Sequence, residues 1–151
     1  MALLAVLVAQ MSAPAPKPGH ALITAAPADV AGAAGKKLAL GVDVAPKSGV
    51  HVYAPGAKDY IAVSLKLDPQ PGLTAGKAAF PKSEEMFFEA LNERVPVYQK
   101  PFRITQDVTL DRSVKAGSTV AVSGTLSYQA CDDKVCYPPE SAPVSWTVTV
   151  Q

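Results

Sequence analysis

The sequence predicts an all-β domain, an antiparallel β-sandwich of about seven to nine strands. Three observations support this. Apolar residues recur at every second position in several separate segments, which is the side-chain period of a strand with one buried face. Fourteen prolines and ten glycines fall mostly between these segments, as expected where the chain turns often. At 151 residues and 48% apolar composition, the chain has the size and the apolar content for one buried core.

The first 19 residues are predicted to lie outside the sandwich, which we expect to occupy residues 20–151. Residues 3–9 are entirely apolar and resemble the apolar region of a signal peptide, although no Lys or Arg precedes them. The alternative is an open reading frame that starts inside a longer protein. The run is too short to span a bilayer. Pro14, Pro16 and Pro18 indicate an extended tether behind it.

Four segments alternate most clearly and are predicted to be half-buried strands. Their inward residues are Leu38, Leu40, Val42 and Val44; Ile61, Val63, Leu65 and Leu67; Val120, Val122, Leu126 and Tyr128; and Val144, Trp146, Val148 and Val150. Weaker strand candidates are Ala21 to Ala25, His51 to Tyr53, Val95 to Tyr98 and Phe102 to Leu110. Such a count with short spacing is typical of an antiparallel sandwich.

Ser83 to Asn92 interrupts this rhythm. The segment contains acidic residues shortly after Ser83, which suits the start of a helix. We therefore expect a long connection with one short helical turn capped by Ser83, and no strand there.

Charge excludes some partners. Fourteen basic and thirteen acidic residues leave a formal charge of +1, so the chain has no electrostatic footprint for nucleic acid or for an anionic membrane surface. Partners must then be recognised by shape and local chemistry.

Both cysteines lie in one short stretch between two strong strands. If the chain reverses over residues 132–135, Cys131 and Cys136 become cross-strand neighbours at a Cα separation that a disulfide tolerates. Such a bond closes a very small loop and adds only about 2 to 3 kcal/mol of stability by chain-entropy reasoning. Reactivity is the better explanation, since exposed short-range disulfides are the labile kind.

Two other interpretations of the cysteines stay open at this level. A single cysteine pair in an exported domain is often an inert staple, which would make the chain a non-catalytic protein-binding sandwich. The pair could also bind copper or zinc together with His51, although a closed four-ligand site would need His20 as well. We expect no metal and no cofactor.

The cysteine stretch identifies a family. Tyr128-Gln129-Ala130-Cys131 followed by Cys136-Tyr137-Pro138-Pro139-Glu140 resembles the active-site hairpin of the N-terminal periplasmic domain of the thiol:disulfide interchange protein DsbD. Ser48 to Tyr53 is similar to the family strand that approaches the cysteine pair.

The resemblance implies an immunoglobulin-like fold, a periplasmic or otherwise exported location and a biochemical function. Members pass reducing equivalents from a thioredoxin-like donor to exported partner proteins. By this resemblance Cys136 forms mixed disulfides with partners and Cys131 resolves them. No membrane conduit and no thioredoxin-like domain appears in the sequence, so we expect a separate electron donor or a longer parent protein. The domain itself is expected to be a monomer without a membrane span.

The family also covers its cysteines with a loop that carries an aromatic residue. The corresponding stretch here contains Glu85, Phe87 and Phe88, with either ring as the cover; simple packing of a short helix into the core is the alternative. Nearby aromatic groups are further candidates.

We expect Tyr53, Tyr128 and Tyr137 to line the cleft beside the cysteines, although aromatic residues in a sandwich usually belong to the core. His51 is expected either to shuttle protons or to be an ordinary hydrogen-bonded structural histidine. Asp132 and Asp133 should raise the pKa of a neighbouring thiol, and Lys134 should oppose them.

Overall fold

Three sheets organise residues 19–151, the part of the chain that the computed structural model describes. The strands in this range are β1 (Ala21–Ala25), β2 (Asp29–Gly32), β3 (Lys37–Pro46), β4 (His51–Tyr53), β5 (Ser64–Leu67), β6 (Leu73–Ala79), β7 (Glu84–Phe88), β8 (Glu93–Tyr98), β9 (Phe102–Leu110), β10 (Thr119–Tyr128), β11 (Ala130–Cys131) and β12 (Glu140–Val150). A 3₁₀ turn, Glu89–Leu91, joins β7 to β8. The signal-like run and nearly all of the tether predicted for residues 1–19 lie outside the described range.

The strand order is β1-β3-β9-β6 in the first sheet, β2-β12-β10-β5 in the second and β11-β4-β8-β7 in the third. All pairings are antiparallel except that between β2 and β12. The predicted all-β, sandwich-like class is therefore confirmed. Within residues 19–151 no helix is long and apolar enough to cross a bilayer.

The main core lies between the first two sheets. Alternate residues of the four strongest strands fill it: Leu40, Val42, Val44, Val63, Leu67, Val122, Leu126, Tyr128, Val144, Trp146, Val148 and Val150 are all buried. Trp146 also joins the sheets through a hydrogen bond, because its indole N–H donates to the Gly41 carbonyl at 3.0 Å. Gly41 has no room for a side chain there, since a Cβ would lie 2.3 Å from the carbonyl oxygen of Ala26.

The third sheet has a different neighbour on each of its faces. Val52 and Ala130 are paired across β4 and β11 and belong to the main core. The alternate residues, Tyr53 and Cys131, belong to a second, smaller buried cluster with Val95 and Val97. We call these four residues the cysteine-side cluster.

The expectation for Ser83 to Asn92 is wrong in its main part. Glu84–Phe88 forms strand β7, which pairs along its whole length with β8. Half-buried and exposed residues alternate along this strand, but none is fully buried, because its inner face meets only the cysteine-side cluster. The acidic residues therefore hid the strand in the sequence. A helical turn does follow, but it begins after Phe88 and has no side-chain cap, so Ser83 is not its cap.

The structure has twelve strands within residues 19–151, more than the predicted seven to nine, because β2, β6, β7 and the two-residue β11 were not predicted. β2 and β6 contain several Ala and Gly residues and few large apolar ones, so their alternation is faint. β5 begins at Ser64, which leaves Ile61 outside the strand and 47% exposed.

Candidate active site

The two cysteines lie opposite each other at the base of a tight reversal. Cys131 ends β11 and pairs with Cys136 as an isolated antiparallel bridge, with a Cα–Cα distance of 4.1 Å. The chain turns over residues 132–135, where the Asp132 amide donates to the Val135 carbonyl at 3.0 Å. The sulfurs are bonded to each other. This is the local disulfide predicted from the spacing.

The Asp132 carboxylate holds the turn together. It accepts hydrogen bonds from the amides of Lys134 and Val135, both at 2.8 Å, and from the Tyr137 hydroxyl at 2.5 Å. The Tyr137 hydrogen bond, followed by the two amides, lowers the pKa of Asp132 to about 2. The negative charge of Asp132 is thus permanent at neutral pH, and these three donors compensate much of it.

The two cysteines differ sharply in exposure. Cys131 is 1% exposed and lies in the cysteine-side cluster, whereas Cys136 is exposed at the end of the turn. Nucleophilic attack on a disulfide needs access to the attacked sulfur, so this difference in exposure bears on how the bond can open.

Strand β4 brings two polar side chains to the disulfide. The Tyr53 hydroxyl lies 3.5 Å from Cys136 Sγ and donates to it, since a disulfide sulfur carries no proton. Tyr53 stacks on Tyr60 with ring centroids 4.3 Å apart. Burial, with smaller contributions from Tyr60 and Glu93, raises the pKa of Tyr53 to about 12. The hydroxyl is therefore a neutral donor at physiological pH.

His51 pairs directly with Cys131 in the register of β4 and β11. It is 4% exposed, and its Nε2 atom has no hydrogen-bond partner. Burial lowers the pKa of His51, and the nearby charge of Asp132 only partly opposes this. His51 is thus a neutral imidazole at pH 7. The interpretation of His51 as a fully hydrogen-bonded structural histidine does not hold for its Nε2 atom.

The two candidate covering rings point in opposite directions. Phe88 packs against the cysteine-side cluster, with its ring centroid 5.8 Å from that of His51. Phe87 is 46% exposed and lies beneath the Arg94 guanidinium, which is 5.4 Å from the ring centroid. Glu85 is exposed on the same outer side. Of the three, Phe88 is the residue that β7 places over the cysteine side.

Tyr128 and Tyr137 lie in different surroundings. Tyr128 belongs to the main core and donates to Glu140 at 2.7 Å, so it does not join Tyr53 beside the sulfurs. Tyr137 supports the turn through Asp132. It also stacks on His20, whose ring centroid is 3.7 Å away and whose Nδ1 bonds to Glu140. Sequence reasoning had no signal for this contact.

Metal binding finds no support in the described part of the chain. No three His, Cys, Asp or Glu side chains are grouped there as metal ligands. Both sulfurs are occupied by their mutual bond.

The fold and site define an all-β sandwich with an accessible local disulfide at one end. Among protein families, the one described as "Thiol:disulfide interchange protein DsbD, N-terminal" matches residues 20–146. The chain belongs to this family and is a thiol–disulfide interchange domain by membership. This confirms the family identified from the cysteine hairpin.

Two solved structures share a distant likeness with this chain. A 35 kDa C-terminal fragment of the major pilin GBS80 of Streptococcus agalactiae aligns over 85% of this chain and 55% of its own length, at 11% identity and TM-score 0.44. A family 123 glycoside hydrolase from Clostridium perfringens aligns over 80% of this chain and 22% of its own, at 11% identity and TM-score 0.34. The chain thus spans about half of the first and about a fifth of the second. Comparison with curated protein sequences gave no significant match.

Proposed function

We propose that this domain is a relay that passes reducing equivalents from a thioredoxin-like donor to exported acceptor proteins through Cys131 and Cys136. The observation that carries the proposal is the difference in exposure between the bonded cysteines. Cys136 is open to a partner, and Cys131 is buried behind it. A static staple has no need of this difference, whereas a relay needs one reachable sulfur and one protected sulfur.

The exchange has two balanced halves. A donor thiolate attacks Cys136 Sγ, the Cys131–Cys136 bond breaks, and Cys131 leaves as a thiolate that takes up a proton. A second donor thiol then attacks the donor's own sulfur in the mixed disulfide, which releases reduced Cys136 and oxidised donor. In the second half the Cys136 thiolate attacks an acceptor disulfide, whose S–S bond breaks and whose other sulfur leaves and takes up a proton. Cys131 then attacks Cys136 Sγ in the mixed disulfide, which releases the second acceptor thiol and restores the internal bond.

The surroundings suit these steps. The Tyr53 hydroxyl, 3.5 Å from Cys136 Sγ, would stabilise a thiolate there by a charge-assisted hydrogen bond. Phe88 and the cysteine-side cluster would exclude water and small solutes from Cys131. Cys131 would then react with the adjacent mixed disulfide before it reacts with solutes. We place the domain in the periplasm or another exported compartment, as its family membership suggests.

The test is a pair of cysteine variants. In the Cys131→Ser protein, Cys136 should accumulate a stable mixed disulfide with a thioredoxin-like protein, visible on a non-reducing gel and abolished by dithiothreitol. The matched Cys136→Ser protein should trap little, since Cys131 is buried. Equal trapping by both variants, or a wild-type disulfide that a thioredoxin-like donor leaves intact while the domain stays folded, would favour the non-catalytic protein-binding sandwich.

A further inference from the structure

A cavity of about 440 Å³ opens beside the disulfide, between the end of β7 and the cysteine turn. Met86 and Phe88 form part of its apolar wall, and Asp132 and Asp133 of the turn also line it. His51 also lines it. The cavity shares the turn with Cys131 and Cys136, so an occupant would sit within a few residues of any partner sulfur bonded to Cys136.

The charged side chains that line this cavity are acidic. Its lining includes the carboxylates of Glu89, Asp132 and Asp133, and it includes neither Lys nor Arg. The Lys134 side chain is on the same turn but is not part of the lining. Phe87 also lines the cavity, and the Arg94 guanidinium lies 5.4 Å from the centroid of its ring, outside the lining itself. A cation entering the cavity would therefore meet carboxylates and no competing positive charge in the wall.

A second observation is independent of these acids. His51 is more than nine-tenths buried, lines the cavity, and has a ring nitrogen, Nε2, that makes no hydrogen bond. A buried polar atom without a partner is unfavourable in free energy. Nε2 is enclosed by its neighbours, so a ligand N–H reaches it only when the cavity rim moves to admit the ligand, and the new hydrogen bond then satisfies this atom. The imidazole is neutral because burial lowers its pKa, and a neutral ring can accept such a bond.

We propose that this cavity binds a basic side chain, arginine or lysine, that lies close to the reactive cysteine of the partner protein. The methylene stem packs on Met86 and Phe88, the cationic group pairs with Glu89 and Asp133, and one N–H donates to His51 Nε2. The inference rests on the proposed relay function and adds the chemistry by which a partner is recognised.

The test compares cysteine peptides as reductants of the oxidised full chain. Two peptide sets place either arginine or its neutral isostere citrulline one, two or three residues to either side of the cysteine. The measured quantity is the second-order rate constant for reduction of the Cys131–Cys136 bond at low ionic strength. At the favoured position, arginine should be faster than citrulline by about fivefold, the effect of a modest ion pair with a hydrogen bond.

Variants separate recognition from intrinsic thiol reactivity. Asp133→Asn and Glu89→Gln should each reduce the arginine-to-citrulline rate ratio, while Asp111→Asn, an equal charge change directly after β9 and outside the cavity lining, should leave it unchanged. Arginine also changes the reactivity of the peptide's own thiol. Comparing the arginine-to-citrulline ratio between wild type and variants cancels this effect, because the peptides are the same in each case. A ratio that is the same in wild type and all three variants at every position overturns the inference but leaves the relay intact. Failure of every peptide to reduce the disulfide overturns the inference alone if a thioredoxin-like donor still reduces it, and overturns both if that donor fails as well.

Discussion

Tyr53 and Cys136 are 83 residues apart in the chain, yet the hydroxyl oxygen of one lies 3.5 Å from the sulfur of the other. The contact exists because β4 and β11 are neighbours in the third sheet and the turn folds Cys136 back over them. It gives the exposed cysteine a fixed hydrogen-bond donor. Its loss should be visible once the disulfide is reduced.

Replacing Tyr53 with Phe should raise the pKa of reduced Cys136 and slow its alkylation at neutral pH by about fivefold, the effect of one hydrogen bond of about 1 kcal/mol. The ring keeps its stacking on Tyr60, so the free energy of unfolding should change little. The measurement is the rate of iodoacetamide modification against pH. Tyr60→Phe is the matched control, and equal pH profiles for both variants would contradict the prediction.

Asp132 should make stability depend on acid pH. Its pKa of about 2 in the folded protein lies below the roughly 3.9 of an unfolded chain, so the unfolded state binds the proton more readily. The contribution is complete above about pH 4 and is lost as the pH falls toward 2. Between these values the wild type should lose more stability than Asp132→Asn in urea unfolding. Asp133→Asn serves as the control, and parallel curves for wild type and Asp132→Asn would refute the assignment.

The exposure of Cys131 should depend on Phe88 and not on Phe87. Removing the Phe88 ring in Phe88→Ala uncovers the cysteine-side cluster, so reduced Cys131 should be alkylated several-fold faster and the domain destabilised by about 2 kcal/mol, because the side chain is only partly buried. Phe87→Ala removes an exposed ring of equal size and should change neither quantity appreciably. Mass spectrometry of modified peptides distinguishes the two cysteines. Faster labelling in Phe87→Ala than in Phe88→Ala would reverse our assignment of the covering ring.

Reduction of the disulfide should leave the domain folded. The bond joins residues only five apart in the chain, so the loop-entropy relation gives it about 2 kcal/mol. The main core lies between the other two sheets and does not include either sulfur. Circular dichroism should show the same β signal in the oxidised and reduced forms, with a lower melting temperature in the latter. Unfolding on reduction would identify the bond as a structural staple.

Much of the fold could be predicted because the main core is filled by strict alternation. The last strand reads as alternate buried and exposed residues from Val144 to Val150, and the structure has that pattern. The family, too, could be identified from the cysteine hairpin alone. Both are local signals that the chain carries in a few neighbouring residues.

The parts that sequence reasoning missed depend on contacts between distant segments. β7 was taken for a connection because its inner residues, Met86 and Phe88, meet a small cluster formed by three other strands. The unpartnered Nε2 of His51 and the contact of His20 with Tyr137 likewise arise only when strands far apart in the chain come together. No spacing rule within a segment could have revealed them.

Strands β4 and β11 have one row of side chains in the sandwich interior and the other row around Cys131. Two layers of packing thus share a single backbone wall. When the disulfide opens, changes in packing around Cys131 need not reach Trp146 or its neighbours. The sandwich can then stay rigid through repeated cycles while the surface around the cysteines adapts to successive partner proteins. Such a partition also lets substitutions tune the rim without endangering the ability of the chain to fold.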